Sequence, residues 1–184
     1  MPAVILDACG TVNLCASGHF VEILKALKND WYLPAAVARE AQYYRQPDPQ
    51  DGEKLIVTPI DLLTVISSGL ITLCDCESDE ETELFVELAA KIGDDGESMG
   101  LAIAKCRGWS VFTDDKKARK IATELGVPVM STLEIIKRWS EVINPSAVTL
   151  ATALLAIERF ANYKPSRGMA DLDWWQNAIK ALGC

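Results

Sequence analysis

The apolar residues of this chain follow two spacings, one typical of buried strands and the other typical of helices. Short unbroken apolar runs, such as residues 3–6 and 31–33, predict strands of a parallel sheet, because such strands are covered on both faces. Between these runs, apolar residues recur three or four positions apart, as Phe20, Ile23 and Leu27 do, which predicts amphipathic helices. The alternation of strands and helices predicts an α/β fold.

The same patterns, together with local start and stop signals, predict the elements that follow. Strands are expected at residues 55–57, 70–73 and 109–112, and helices are expected from Pro34, from Thr58, from Ser78 to about Gly93, from Glu97, and from Lys116 to Leu125. Residues 45–54 contain two prolines and mixed charges, so we expect an exposed loop there.

The end of the chain is expected to be helical. Residues 144–161 and the segment around Trp174 and Trp175 predict two further helices. Nearly every face of the first of these helices is apolar, so it must be buried. We therefore divide the chain into one domain at residues 1–140 and a helical extension at residues 141–184. The extension is expected to pack on the domain or to lie in an interface with another chain.

Length and composition are those of an ordinary globular protein. With 184 residues and 49% hydrophobic content, the chain can bury one substantial core. Its first residues lack the pattern of a signal peptide, and its longest apolar stretch, at residues 148–157, is too short to cross a bilayer. We therefore expect a cytoplasmic protein with no membrane contact. The six cysteines lack the paired spacing of a zinc site, so we expect reduced thiols.

The charge balance restricts the kind of partner that the protein can bind. The chain has 26 acidic and 18 basic side chains, which gives a net charge of −8. A protein that coats nucleic acid needs a cationic surface against the phosphates, and this chain has no such overall charge. A polyanionic substrate would therefore have to be held locally, through metal ions.

Asp7 is the first candidate for a functional carboxylate. It follows the apolar run at residues 3–6 directly, and the small residues Ala8, Cys9 and Gly10 after it predict a loop. Asp7 is therefore expected at the carboxyl end of a strand, where ligands of open α/β sheets bind. A structural role at a turn or helix start explains the residue equally well at this point.

Further acids are expected at the same edge of the sheet. Glu40 falls in the second turn of the helix that follows the strand at residues 31–33, and Glu97 begins a helix directly after Asp94 and Asp95. Asp114 and Asp115 follow the strand at residues 109–112. Carboxylates that converge in this way repel each other unless a cation neutralises them, and a ligand set of oxygens alone favours Mg²⁺ or Mn²⁺. We infer one or two such ions.

Four motifs in this order resemble the PIN domain family. They are VILD at residues 4–7, LPAAVARE at 33–40, GESMGLA at 96–102 and TDDKKAR at 113–119. The resemblance covers about residues 1–140 and implies a three-layer α/β/α sandwich with a central parallel sheet, followed here by C-terminal helices. It also implies an endoribonuclease that uses Mg²⁺ or Mn²⁺, similar to VapC-like toxins of toxin–antitoxin pairs.

The resemblance also implies roles for individual residues. The principal acids would be Asp7, Glu40, Glu97 and Asp115, with Asp114 competing for the fourth position because the aspartate is doubled. Metal ligation would fall to Asp7, Glu97, Asp115 and Asp114. Thr113 and Asn13 would be polar neighbours that help to bind the substrate. Arg119, from its place in the motif, and Lys116 beside it would contact RNA, although the basic residues at 105–120 also fit a solvated helix face.

Two other functions remain open from the sequence. The segment Asp7–Thr11 resembles the nucleophile loop of haloacid-dehalogenase-like phosphatases, although Cys9 stands where that family has a second aspartate. A PIN-like scaffold that only binds a partner or nucleic acid is the other possibility. The expected partners are an RNA substrate, an antitoxin protein with a basic tail and a second copy of the chain.

Overall fold

The computed structural model describes residues 2–41, 43–48, 50–51 and 54–180. The strands in this part of the chain are β1 (Ala3–Leu6), β2 (Asp30–Pro34), β3 (Tyr43–Pro47), β4 (Leu55–Pro59), β5 (Ile71–Cys74), β6 (Ser110–Phe112) and β7 (Val129–Met130). The helices are α1 (Ala8–Ala16), α2 (Phe20–Leu27), α3 (Ala35–Glu40), α4 (Leu62–Ser67), α5 (Asp79–Ile92), α6 (Asp95–Arg107), α7 (Lys116–Leu125), α8 (Thr132–Ile143), α9 (Ala147–Phe160) and α10 (Leu172–Lys180).

The central sheet is parallel, with the strand order β5-β2-β1-β6-β7. Ile5 of β1 pairs with Tyr32 of β2 on one side and with Val111 of β6 on the other. From β1 the chain first builds outward through β2 and β5, and it then returns to the other side of β1 to form β6 and β7. The order of the strands therefore reverses between β1 and β6, and this reversal is the usual ligand site of an open α/β sheet. The predicted α/β/α class with a central parallel sheet is confirmed.

The chain divides into two compact units. The first unit comprises Met1–Thr11, Lys28–Gln42 and Asp61–Ser131, and it contains the whole parallel sheet. Its core is formed by strand residues such as Ile5 and Val111 together with inward-facing residues of α5, α6 and α7. Helix α6 packs closely over β1, because Gly100 lies where an added Cβ would be 3.2 Å from Ile5.

The second unit comprises Val12–Leu27, Tyr43–Ile60 and Thr132–Cys184. Helix α2 packs on α8, α9 packs on α10, and β3 lies against α9. Trp139 and Trp175 are almost fully buried. The predicted helices at residues 144–161 and around Trp174 are confirmed as α9 and α10, whereas the division of the chain at residue 140 stays a prediction. Within the described residues, no helix has both the length and the apolar character that a membrane span requires.

Three local predictions are wrong. Asp7 is followed by α1 and not by a loop, because Ala8–Ala16 is apolar enough to form a buried helix at once. Residues 45–47 belong to β3, which forms an antiparallel hairpin with β4, so the expected loop is shorter than residues 45–54. The strand predicted at residues 55–57 is confirmed as β4, although it lies in this hairpin and outside the parallel sheet. The next helix begins after the N-cap Asp61 and not at Thr58.

Candidate functional site

Asp7 and Thr113 lie side by side where the strand order reverses. The backbone N–H of Asp7 donates to the carbonyl of Phe112 at 3.2 Å, and the N–H of Thr113 donates to the carbonyl of Met130 at 3.1 Å. Both residues therefore extend the ladders of the sheet by one position beyond the strands. Their side chains stand at the carboxyl edge, next to the crevice between β1 and β6.

The carboxylate of Asp7 is buried without full compensation. The side chain is only 5% exposed. Its Oδ1 accepts a hydrogen bond from the N–H of Gly10, whereas its Oδ2 has no hydrogen-bond partner within the described residues. Burial raises the pKa of Asp7 from 3.8 to about 7, and the charges of Asp114 and Asp115 act in the same direction. Hydrogen bonds from Thr113 and Gly10 oppose the shift but do not cancel it.

Glu97 is the second carboxylate with a strongly raised pKa. It occupies the first turn of α6, where its N–H donates to the N-cap side chain of Asp94 at 2.8 Å. Burial is the largest cause of the shift of its pKa to about 7, followed by the charges of Asp115, Asp94, Asp7 and Glu40. Each nearby acid therefore disfavours the ionised form of Glu97, and a cation at this position would favour it.

Asp114 and Asp115 reach the site from the turn between β6 and α7. Asp115 is the N-cap of α7, and its Oδ1 accepts from the N–H groups of Lys117 and Ala118, both at 2.8 Å. The N–H of Asp115 donates to the Thr113 hydroxyl at 3.1 Å, which fixes this turn beside Asp7. Both aspartates raise the pKa of Asp7, so which of the two is the fourth acid stays open.

Asp7, Glu97, Asp114 and Asp115 together form the acidic group, and Glu40 lies at its margin. It is the last residue of α3 and is exposed, and its Oε2 is 2.9 Å from the position of a Cβ added to Gly96. Burial and the charges of Asp94 and Asp95 raise its pKa, while Arg39 lowers it. Glu40 therefore lies over the start of α6, where it affects Glu97.

Two glycines that were not predicted as part of the site allow the acids to come close. A Cβ on Gly10 would lie 2.6 Å from Asp7 Oδ1 and 2.7 Å from the ring of Phe112. A Cβ on Gly96 would lie 2.9 Å from Glu40 and 3.0 Å from Val37. Glycine early in a helix lowers helix stability relative to alanine. Its presence in the first turns of α1 and α6 was therefore the signal that backbone and acids approach closely there.

A small pocket opens beside the acids. It is lined by Asp7, Glu97 and Thr113 and by apolar residues that include Ile5 and Leu101. Its volume of about 10 Å³ is close to the smallest that admits one water molecule. Because its lining is mostly apolar, the pocket marks the crevice beside Asp7 and Glu97 and is not by itself a site for a polar ligand.

The predicted substrate-binding residues have different surroundings. Thr113 lies in the acidic group. Asn13 belongs to the second unit, where its Nδ2 donates to Thr132 at 3.0 Å. Arg119 donates to the carbonyl of Thr113 at 3.1 Å, so it supports the turn that carries the aspartates. Lys116 is exposed at the start of α7. A role in RNA binding stays a prediction for these residues.

The acids fit a hard divalent cation by their chemistry. Within the described residues, no group of three or more His, Cys, Asp or Glu side chains is close enough to ligate one ion together. The donors at the site are nevertheless oxygens, which Mg²⁺ and Mn²⁺ prefer. The buried Asp7 Oδ2 without a hydrogen-bond donor is a ligand position that the protein itself leaves unused.

The phosphatase alternative finds no support in this geometry. Cys9 stands where that family has its acid–base aspartate, and its side chain reaches solvent from α1. Partial burial and the charges of Asp7, Glu97, Asp115 and Asp114 raise the pKa of the Cys9 thiol to about 11, so it stays protonated. The metal loop of that family, which residues 93–95 resemble, would follow a strand, whereas the residues before Gly93 form α5.

Comparison with known families agrees with the fold. A family model described as a PIN domain matches residues 3–149, which is about four fifths of the chain. No curated protein matches the chain at a significant level. The resemblance that the sequence motifs carry is confirmed at the level of the family.

Proposed function

Because the chain belongs to the PIN domain family, whose members are usually nucleases, we propose that it is a metal-dependent endoribonuclease that hydrolyses RNA phosphodiester bonds. The observation that supports this best is the buried Asp7 at the reversal of the strand order. Its Oδ2 has no hydrogen-bond donor in the described part of the chain, and its pKa is raised to about 7. A carboxylate placed in this way is unfavourable for folding and is characteristic of a site that binds a cation.

Asp7, Glu97, Asp115 and Asp114 are the residues that would hold Mg²⁺ or Mn²⁺. When bound, such an ion would neutralise the acids, lower the pKa of a nucleophilic water and stabilise the oxygen that leaves the phosphate. The Thr113 hydroxyl accepts from the N–H of Asp115 and lowers the pKa of Asp7, and Asp94 caps the helix that carries Glu97. Cation binding requires ionised Asp7 and Glu97, so it releases protons at neutral pH.

We also propose that the protein is the toxin of a toxin–antitoxin pair and that an antitoxin or a second copy covers part of its surface. The support is apolar surface in the second unit. Val57, Val142 and Val148 are each about 60% exposed. Exposed apolar residues that form one contiguous patch mark protein interfaces, so these valines are the positions at which a partner would be sought. Size-exclusion chromatography with light scattering would test self-association, because a mass of 20.1 kDa at all concentrations contradicts the homodimer.

Cleavage of a mixed pool of single-stranded and structured RNA tests the nuclease directly. We expect the purified chain to cleave the pool with Mn²⁺ or Mg²⁺ and to lose this activity in EDTA and in Asp7→Asn and Glu97→Gln. Asp173→Asn is the matched control, because Asp173 is exposed on α10 outside the acidic group. Thermal unfolding of each variant would show that it is folded. No cleavage under any metal condition, or equal cleavage by Asp7→Asn, would contradict the proposal.

A further inference from the structure

The basic residues near the acids are mostly engaged with the protein itself. Arg107 forms an ion pair with Glu81, and Arg119 binds the carbonyl of Thr113. Lys105 and Lys117 donate to the carbonyls of Leu125 and Ile92, both at 2.8 Å, and Lys120 lies 3.9 Å from Glu124. Of the cations at residues 105–120, Lys116 alone has no hydrogen-bond or ion-pair partner among the described residues. This region therefore offers little free positive charge to a phosphate backbone.

The charge of the chain is divided unequally between the two units. Of the 26 acidic and 18 basic side chains, nine of each lie in the second unit. The whole net charge of −8 therefore belongs to the first unit, which carries the acidic group, and the second unit is neutral. A polyanion is repelled by the first unit wherever a metal ion does not screen the charge, and it meets no such net repulsion at the second unit.

Within the second unit, residues 159–170 form a segment that contains cations and no acid. We call it the basic segment. Its cations are Arg159, Lys164 and Arg167, all of them exposed, and it links α9 to α10. We infer that the basic segment is a docking surface for single-stranded RNA. This inference rests on the proposed function for its choice of RNA as the ligand.

The acids that border the basic segment are already paired. Asp171, directly after it, binds Lys137 of α8 at 2.6 Å. Glu158, directly before it, accepts from the indole N–H of Trp175 at 3.0 Å and lies 3.5 Å from Lys164. The two pairings fix both ends of the basic segment to neighbouring helices. They also reduce the negative charge beside it. The Glu158 contact engages Lys164 as well, so Arg159 and Arg167 are the cations of the segment that have no ion-pair partner among the described residues.

The basic segment combines cations with aromatic rings, as surfaces for single-stranded nucleic acid do. The guanidinium of Arg159 lies 5.6 Å from the ring centroid of Phe160. Tyr163 is fixed by an edge-to-face contact with Trp175, with 5.8 Å between the ring centroids. Phe160 and Tyr163 are both half-buried, so part of each side chain reaches solvent. Unpaired bases stack on such rings and on guanidinium planes, while duplex RNA cannot offer its bases.

Binding without cleavage tests the inference separately from the nuclease. The probe is a short fluorescent single-stranded RNA of mixed sequence, titrated in EDTA with the Asp7→Asn chain by fluorescence anisotropy. Adding Arg159→Gln, Lys164→Gln and Arg167→Gln should weaken binding about tenfold or more and lower the slope of log K against log salt by about 2, because each phosphate contact to a single strand contributes about 0.7.

A matched control removes three other exposed cations of the second unit, with Lys25→Gln, Arg45→Gln and Lys180→Gln. Both triple variants change the net charge of the Asp7→Asn chain from −7 to −10, so only the position of the lost charge differs. Equal weakening in the two variants would overturn the inference and leave the nuclease untouched. Failure of the starting chain to bind RNA, or equally strong and equally sensitive binding of a polyglutamate peptide, would overturn it as well. Thermal unfolding at an unchanged temperature would show that each variant is folded.

Discussion

The carboxylates at the two ends of α6 have opposite electrostatic surroundings. At the carboxyl end, Arg107 binds Glu81, which is 3% exposed and whose pKa is lowered to about 2. The oxygens of Glu81 accept from Arg107 at 2.6 and 3.1 Å and from the N–H groups of Glu77 and Ser78 at 2.6 and 3.3 Å. At the amino end, Glu97 faces Asp7 and Asp115, and the pKa values of Glu97 and Asp7 are both raised to about 7.

The difference separates a structural acid from acids that need a further partner. Glu81 has its cation and its hydrogen bonds within the chain, so it stabilises the fold. Asp7 has a buried oxygen without a donor among the described residues, and its nearest charges are other acids. The same unit can therefore compensate a buried carboxylate, and it does not do so for Asp7. This contrast supports a ligand role for Asp7 and Glu97.

Glu81→Gln should have the largest effect on stability. The amide group would place N–H donors against Arg107 or against the backbone N–H groups that Glu81 now accepts from, and it would leave the guanidinium without its carboxylate. Breaking a buried pair in this way costs about 3 kcal/mol. Urea unfolding at pH 7 would measure the loss. Stability equal to that of the wild type would show that the pair of Glu81 and Arg107 does not stabilise the fold.

The metal-free protein should lose stability as the pH rises. The pKa of Asp7 is higher in the folded chain than its unfolded value of 3.8, so its contribution favours folding at low pH and is lost as the pH rises through about 7. Glu97 acts in the same direction, and Glu81 exerts its effect only well below pH 5. In EDTA we expect about 2 kcal/mol less stability at pH 8 than at pH 5, or about 6 °C in Tm. A Tm that rises over this range contradicts the assignment.

Asp7→Asn should stabilise the metal-free protein, although it changes a carboxylate to an amide just as Glu81→Gln does. The amide needs no ionisation, so we expect a gain of about 1 to 2 kcal/mol at pH 8 and a flatter pH profile. Urea unfolding in EDTA at pH 5 and pH 8 would measure both. Destabilisation at pH 8 of the size expected for Glu81→Gln would show that Asp7 is a structural acid as well.

Gly10→Ala should have the smallest effect on stability, a loss of about 1 kcal/mol, because the crowding of a Cβ against Asp7 and the Phe112 ring exceeds the helix propensity that alanine gains. Gly96→Ala is the matched comparison, since the added Cβ there meets side-chain ends of Glu40 and Val37 that can shift. Thermal unfolding of both variants measures the difference. A Gly10→Ala protein more stable than Gly96→Ala would show that the backbone is not pressed against Asp7.

The sheet and its flanking helices could be predicted because their signals are local. The apolar run before Asp7 and the run before Thr113 each identify a strand and the polar residue at its end. The β3–β4 hairpin was missed for a physical reason. Its strands are exposed or half-buried along their length, and β3 contains Arg45. Each strand ends in a proline, Pro47 at the turn and Pro59 at the open end, so neither strand has the apolar face of a buried strand.

The acids of the site could be named from the sequence, whereas their electrostatic balance could not. Which cation pairs with which acid depends on contacts between distant residues, as between Arg107 and Glu81, 26 positions apart. From the sequence, Arg107 and Lys117 were among the basic residues that could contact RNA. In the structure, both side chains bind groups of the protein itself. The close approach at Gly10 and Gly96 could have been predicted, because glycine in the first turn of a helix lowers helix stability and therefore indicates a steric requirement.

Calorimetric titration of Mn²⁺ into the metal-free chain at pH 6 and pH 8 tests the contrast between the two ends of α6 most directly. We expect saturable binding that is about tenfold or more tighter at pH 8, because Asp7 and Glu97 must lose their protons first. We also expect that Asp7→Asn abolishes this binding while Glu81→Gln, measured where it remains folded, retains it. No saturable binding at pH 8, or equal binding by Asp7→Asn, would contradict the account.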